Sequence, residues 1–142
     1  MSRVSEVIAN RELHSVDERL SVAATAQRMA DLHCGAILVL DRGELRGLFS
    51  ERDLMLRVVL GRLDPESTPV SQVMTKQLAT IDETASLEDA MEAMHSHQCR
   101  HLPVLRDGRV TALLSMRDLM HFELALKTEE WHHLRRFIQT NA

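Results

Sequence analysis

Gly47-Leu48-Phe49-Ser50-Glu51-Arg52-Asp53 and Ala112-Leu113-Leu114-Ser115-Met116-Arg117-Asp118 are the two stretches on which the fold turns. They carry Leu, Ser, Arg and Asp at the same four places, at an offset of 65. Carried outward at that offset, the comparison lays residues 16–55 on residues 81–120, and fourteen of the forty positions are identical. Among them are Asp17/Asp82, Ser21/Ser86, Met29/Met94, Cys34/Cys99, Gly43/Gly108 and Met55/Met120. Ordinary composition would give only a few such matches. Val4-Ser5-x-Val7 also returns, as Val70-Ser71-x-Val73, but at an offset of 66, so one residue is gained or lost between Ile8 and Val16, as a loop permits. The chain is a tandem duplication of a unit of roughly 50 residues.

Each copy has the same local grammar. A short β-prone opening (residues 13–16 and 78–81) is followed by Asp-Glu and then by a Ser able to cap a helix. Helical spacing then links Val22, Ala26, Met29, Ala30 and His33 in the first copy, and Leu87, Ala90, Met91, Met94 and Gln98 in the second. Two β runs joined by a tight turn come next, residues 36–40 with 45–49 and residues 102–105 with 110–114; Asp107-Gly108 is a strong hairpin signal. A second helix follows, over 51–60 in copy one; in copy two it starts at Met116 and continues, with or without a break, to about Ile138. The expected fold is α+β: two pseudo-symmetric β-α-β-β-α repeats with a C-terminal helix. The expected divisions are repeat one over 4–61, a linker over 62–69 within the Pro-containing stretch 61–69, repeat two over 70–121, and a helical tail over 122–142. A unit this small cannot cover both faces of its sheet, so the two copies should pack together.

Composition removes several function classes. With 142 residues, 44% hydrophobic and 27% charged, the chain reads as one soluble globular domain. Its net charge is −4, no Lys/Arg stripe stands out, and 3 Phe, 1 Trp and no Tyr leave few stacking platforms, so no nucleic-acid partner is expected. The longest apolar run, residues 36–40, is far too short to span a bilayer, and the first residues have no apolar signal core. A cytoplasmic protein without a membrane role is expected, and two cysteines argue against a disulfide framework.

Residues 47–53 and 112–118, in this grammar, resemble the nucleotide signature G-h-x-[ST]-x-x-D of the CBS-domain family, with Ala112 where the signature has Gly. Val70-Ser71-Gln72-Val73-Met74-Thr75 is similar to that family's opening V-x-x-V-M-T. The resemblance covers about residues 4–120 and is to small stand-alone bacterial proteins made of one CBS pair. It implies a pseudo-twofold pair, often dimerised into a disc, with adenosine-containing ligands in the cleft between repeats.

Ser50-x-x-Asp53 and Ser115-x-x-Asp118 have two readings. In one, Ser caps a helix and the acid reaches back, a capping box in all but side-chain length. In the other, the same helix start offers N–H groups to a phosphate while the carboxylate accepts from ribose hydroxyls. Arg52 and Arg117 then add positive charge. Two copies after equivalent strands, together with the resemblance, favour the nucleotide reading. The resemblance also implies that Arg100 and His101 face phosphates, where copy one has Gly35 and Ala36. The cleft using Asp118 is therefore expected to be the better phosphate site and that using Asp53 the weaker. His14, Val16, Thr80 and Ile81 match places where the family contacts or brackets adenine.

His95-Ser96-His97-Gln98-Cys99-Arg100-His101 invites a metal reading, but i and i+2 do not share a helix face and no second ligand cluster accompanies it, so no metal is expected. No nucleophile–base arrangement, P-loop or pair of catalytic acids is present, which predicts a binding module and no enzyme. The tail carries Phe122, Leu126, Leu134, Phe137 and Ile138 near helical spacing with Trp131 beside them. It packs either on its own domain or on another subunit. The expected function is regulatory sensing of AMP, ADP, ATP or NAD, with S-adenosylmethionine also possible and no cofactor required. The expected assembly is a homodimer, and the regulated partner is unknown. The alternative is an interaction module with vestigial clefts.

Overall fold

The computed structural model describes residues 2–141, and in it the chain folds as two copies of one strand–helix–hairpin–helix unit. The first half contains α1 (Val4–Val7), β1 (Ser15–Asp17), α2 (Val22–Leu32), β2 (Ala36–Asp41), β3 (Glu44–Ser50) and α3 (Glu51–Asp53). The last runs straight into a π-helical turn over Leu54–Val59. After a 3-10 turn at Val70–Gln72, the second half contains β4 (Ile81–Asp82), α4 (Leu87–Ser96), β5 (His101–Arg106), β6 (Arg109–Ser115) and α5 (Met116–Asn141). Each half makes a three-stranded sheet, β1-β2-β3 and β4-β5-β6, whose first pair is parallel and second antiparallel.

Local chemistry explains these elements. Arg42-Gly43 and Asp107-Gly108 all have positive φ, between 50° and 81°, the type I′ pattern that matches strand twist. Ser21 Oγ accepts from Ala24 N (3.1 Å) and Ser86 Oγ from Asp89 N (3.0 Å), starting α2 and α4. Such caps stabilise a helix start by about 1 kcal/mol each. His33 (φ 55°) and Gln98 (φ 50°) end both helices in the left-handed region and turn the chain into β2 and β5.

The two hydrophobic cores do not follow the order of the chain. Val16, Val22, Met29, Ile37, Val39, Phe49 and Val58 of the first half are joined by Val70, Val73 and Met74 from the start of the second. Leu87, Ala90, Met94, Leu102, Val104, Leu114 and Leu119 are joined by Val4 and Ile8. Each opening segment therefore completes the other half's core, and the backbone agrees. Val70 N donates to Leu20 O (2.8 Å), and Val4 N donates to Ala85 O (2.9 Å). The stretch 61–69 is ordered as well: Thr68 O and Pro65 O accept from Val22 N and Ala23 N, occupying free donors at the start of α2.

The second helix of repeat two runs unbroken into the tail. Met116, Leu119 and Phe122 pack on the second core, whereas every residue from Leu124 to Thr140 is exposed.

Candidate functional site

Asp53 and Asp118 stand at equivalent helix starts and both close capping boxes. Ser50 N donates to Asp53 Oδ2 (3.0 Å) and Asp53 N to Ser50 Oγ (3.2 Å). Ser115 N donates to Asp118 Oδ2 (2.8 Å) and Asp118 N to Ser115 Oγ (3.0 Å). Beyond that, their surroundings part.

The Asp53 carboxylate is enclosed. Thr75 Oγ1 donates to it (3.1 and 3.3 Å), Ser50 Oγ does so too (3.1 Å), and Arg57 Nε lies 3.6 Å away. Thr75 is held there by the opening segment of repeat two, which pairs with β3: Leu48 N donates to Thr75 O (2.9 Å) and Thr75 N to Leu48 O (2.8 Å). Gly47 permits this approach, since a Cβ there would lie 2.6 Å from Met74 Sδ and 2.8 Å from Thr75 O.

The Asp118 carboxylate is covered by one flexible side chain. Arg11 Nη1 donates to Asp118 Oδ2 (2.8 Å) and to Leu113 O (3.1 Å). Arg11 thus meets the two groups that Thr75 meets in the other half, with a guanidinium in place of a β-bridge. Ala112 stands where the other half has Gly47, and among the described residues no β-bridge is made at Leu113 like the one that pairs Leu48 with Thr75. The Asp118 side chain is 25% exposed against 9% for Asp53. Burial pushes the Asp118 carboxyl up. The hydrogen bonds from Arg11 and Ser115, with the Arg11 charge, outweigh it and hold the carboxyl below its ordinary 3.8.

Asp118 opens onto a cleft of about 860 Å³ between the halves. Ala26, Met29, Gly35, Ala36 and Leu54 line it from repeat one, and His101, Leu113, Ser115 and Arg117 from repeat two, with Arg11 and Glu51 at its edge. His101, at the start of β5, is desolvated enough to lie below its ordinary 6.5. Asp118 and Glu51 pull it upward, and Arg100 pushes it further down. The imidazole is therefore held toward its neutral form.

Of the residues singled out from sequence, the cleft gathers Asp118, Ser115, Arg117, His101, Gly35 and Ala36. Arg100 is exposed beside it and outside its lining, as is Arg52 at the start of α3. Ser50 and Asp53 belong to the enclosed counterpart. His14 is exposed, 3.7 Å from Glu12, Val16 is in the first core, Thr80 is exposed, and Ile81 packs against the second core. Sequence reasoning missed Arg11; the change of offset between Ile8 and Val16 was the signal that this loop is built differently from its counterpart. Among the described residues, no three His, Cys, Asp or Glu side chains are placed to hold a metal ion, and no helix is long and apolar enough to cross a membrane.

The model of the CBS domain matches twice, over residues 4–60 and 70–125. The chain belongs to the CBS-domain family. This tandem CBS pair is 32% identical over 119 residues to CBS domain-containing protein YhcV of Bacillus subtilis, covering 84% of each chain. It spans only about a fifth of the longer Arabidopsis thaliana relatives that it also matches. A putative signal-transduction protein with CBS domains from Burkholderia ambifaria superposes with a TM-score of 0.82 at 29% identity, over 87% of this chain and 95% of that one. A CBS domain protein from Pyrobaculum aerophilum, complexed with AMP, superposes with a TM-score of 0.74 at 29% identity, over 82% and 89%. CBS-domain proteins of this kind are typically regulatory.

Proposed function

We propose that this CBS pair is a cytoplasmic ligand-sensing module, and no enzyme, that takes an adenosine-containing nucleotide in the cleft over Asp118. AMP, ADP, ATP and NAD are its candidate ligands, with S-adenosylmethionine the further member of the set. The reading is carried by the one carboxylate of the duplicated pair that faces open space. Asp118 accepts from the ribose hydroxyls, displacing Arg11, a charge-assisted contact of the kind carboxylates make to sugars. Arg11, released, joins Arg117 and His101 near the phosphates, and Ala26, Met29 and Leu54 offer an apolar wall to the base. The Pyrobaculum relative's complex with AMP supports the ligand class. Calorimetry and thermal unfolding with each candidate, and with adenosine, test it. Saturable binding with a raised melting temperature is expected by mass action, and a flat response to all of them overturns it.

The homodimer reading draws on a separate observation. Met55, Leu56, Val59 and Leu60 on the helix of repeat one, and Met120 on that of repeat two, are exposed. An isologous contact in which helices of both repeats meet would cover such faces with one patch. Sedimentation at micromolar concentration tests it, and a monomer of 16.2 kDa overturns it.

A further inference from the structure

From Leu124 to Thr140, α5 is exposed on all sides, yet it is not polar on all sides. Met120, Leu124, Lys127, Trp131, Leu134 and Ile138 follow one another in steps of 4, 3, 4, 3 and 4, the a/d spacing of a coiled coil. Five of the six are large and apolar, with exposures of 64% for Met120, 64% for Leu124, 59% for Trp131, 48% for Leu134 and 56% for Ile138. At about 100° per residue they form one narrow stripe, which continues the line of Met116 and is rotated roughly a third of a turn from the Leu119 and Phe122 face that packs on the core. A single helix of this length is marginal in water without a partner for its apolar stripe.

The order of these steps is palindromic, which decides how a second copy fits. In an antiparallel pair centred near residue 129, Met120 meets the partner's Ile138, Leu124 the partner's Leu134, and Lys127 the partner's Trp131. The polar position is then spent well: each ammonium lies over an indole face, a cation–π contact, and reaches the partner's Glu130 one place away. A parallel pair would instead stack Lys127 on the partner's Lys127 in the centre of the seam, where like charges repel. We infer that α5 beyond Phe122 is an antiparallel two-stranded coiled-coil arm, and that its occupant is the same helix of a second copy of this chain. The inference rests on the homodimer reading and adds to it the surface and the register.

The chain's single Trp lies in the seam, so the test has a built-in reporter. In the full chain, Trp131 emission should be blue-shifted and should move to the red in the Leu124→Glu/Leu134→Glu variant. Both positions are exposed, so the urea midpoint of the body should stay unchanged. In a Cys34→Ser/Cys99→Ser background, Leu124→Cys with Leu134→Cys should give a covalent dimer under mild oxidation, and Leu124→Cys alone should not. A dimer that neither cross-links nor changes Trp emission in the Glu variant overturns the arm while leaving the homodimer standing. Ready cross-linking of Leu124→Cys alone overturns the antiparallel register. A monomer by sedimentation overturns the homodimer and the arm with it.

Discussion

Two aspartates with the same neighbours in sequence have different work in the folded chain. Asp53 is satisfied from every side, so Asp53→Ala leaves Thr75 Oγ1 and Ser50 N without their acceptor. A fall of about 1–3 kcal/mol in stability, read from urea denaturation, is expected with little effect on nucleotide affinity. Asp118→Ala should do the reverse: a 10- to 100-fold loss of affinity by calorimetry, on the order of a lost charge-assisted contact, with a smaller change in stability. Larger loss of binding at Asp53 would count against the assignment. His101 adds a pH signature. Its folded pKa lies below 6.5, so the unfolded chain takes up a proton first as pH falls, and His101 destabilises the fold through the window from about 6.5 downward. A phosphate beside it reverses the sign by favouring imidazolium. AMP affinity should therefore rise as pH is lowered from 7.5 to 6, adenosine affinity should not, and His101→Gln should flatten the difference. A pH profile identical for AMP and adenosine would remove His101 from phosphate contact.

At the scale of elements, the sharpest contrast is between β3 and β6. Gly47→Ala drives a Cβ against Met74 Sδ and the Thr75 carbonyl, and the carbonyl cannot swing aside without breaking the bridge to Leu48. A loss of about 1–3 kcal/mol is expected, visible as a lower urea midpoint. Ala112→Gly meets no such clash; it deletes a buried methyl from the second core and frees the backbone, and should cost about 1–2 kcal/mol. A Gly47→Ala chain with an unchanged urea midpoint would show that the opening segment does not press on β3. These elements were legible because their signals are local. Ser21, Ser86, Arg42-Gly43 and Asp107-Gly108 decide helix starts and turns within four residues, and the repeat doubles each signal. The enclosure of Asp53 was not legible, because Thr75 lies 22 residues on and reaches it only through tertiary pairing. Arg11 was hidden for the same reason, 107 residues from the carboxylate that it holds. The unequal clefts were expected from Arg100 and His101 in one copy. What the structure adds is a difference that those two residues did not signal, the group that lies over each carboxylate: Thr75 over Asp53 and Arg11 over Asp118.

Across the whole molecule, the exchanged openings couple the start of each repeat to the opposite half. Val4 is fully buried among Leu87, Ala90 and Leu102, far from it in sequence. Val4→Asp puts an unpaired charge there and should cost about 3 kcal/mol or more. Amide exchange should then quicken first in β5 and β6 and last in β2 and β3. Faster exchange confined to the first half would contradict the crossing.

A half-length chain could fill either core only by trading its opening with another copy, a bimolecular event that dilution would undo. The stretch 61–69 makes the trade intramolecular. Tethers this short hold effective concentrations on the order of millimolar, far above what a protein reaches free in solution. By anchoring Thr68 and Pro65 to the first turn of α2, this tether also narrows the arc through which the second opening must search. The two cores can therefore complete each other at any dilution, and a cut between Gly61 and Pro69 would make the fold's stability depend on concentration.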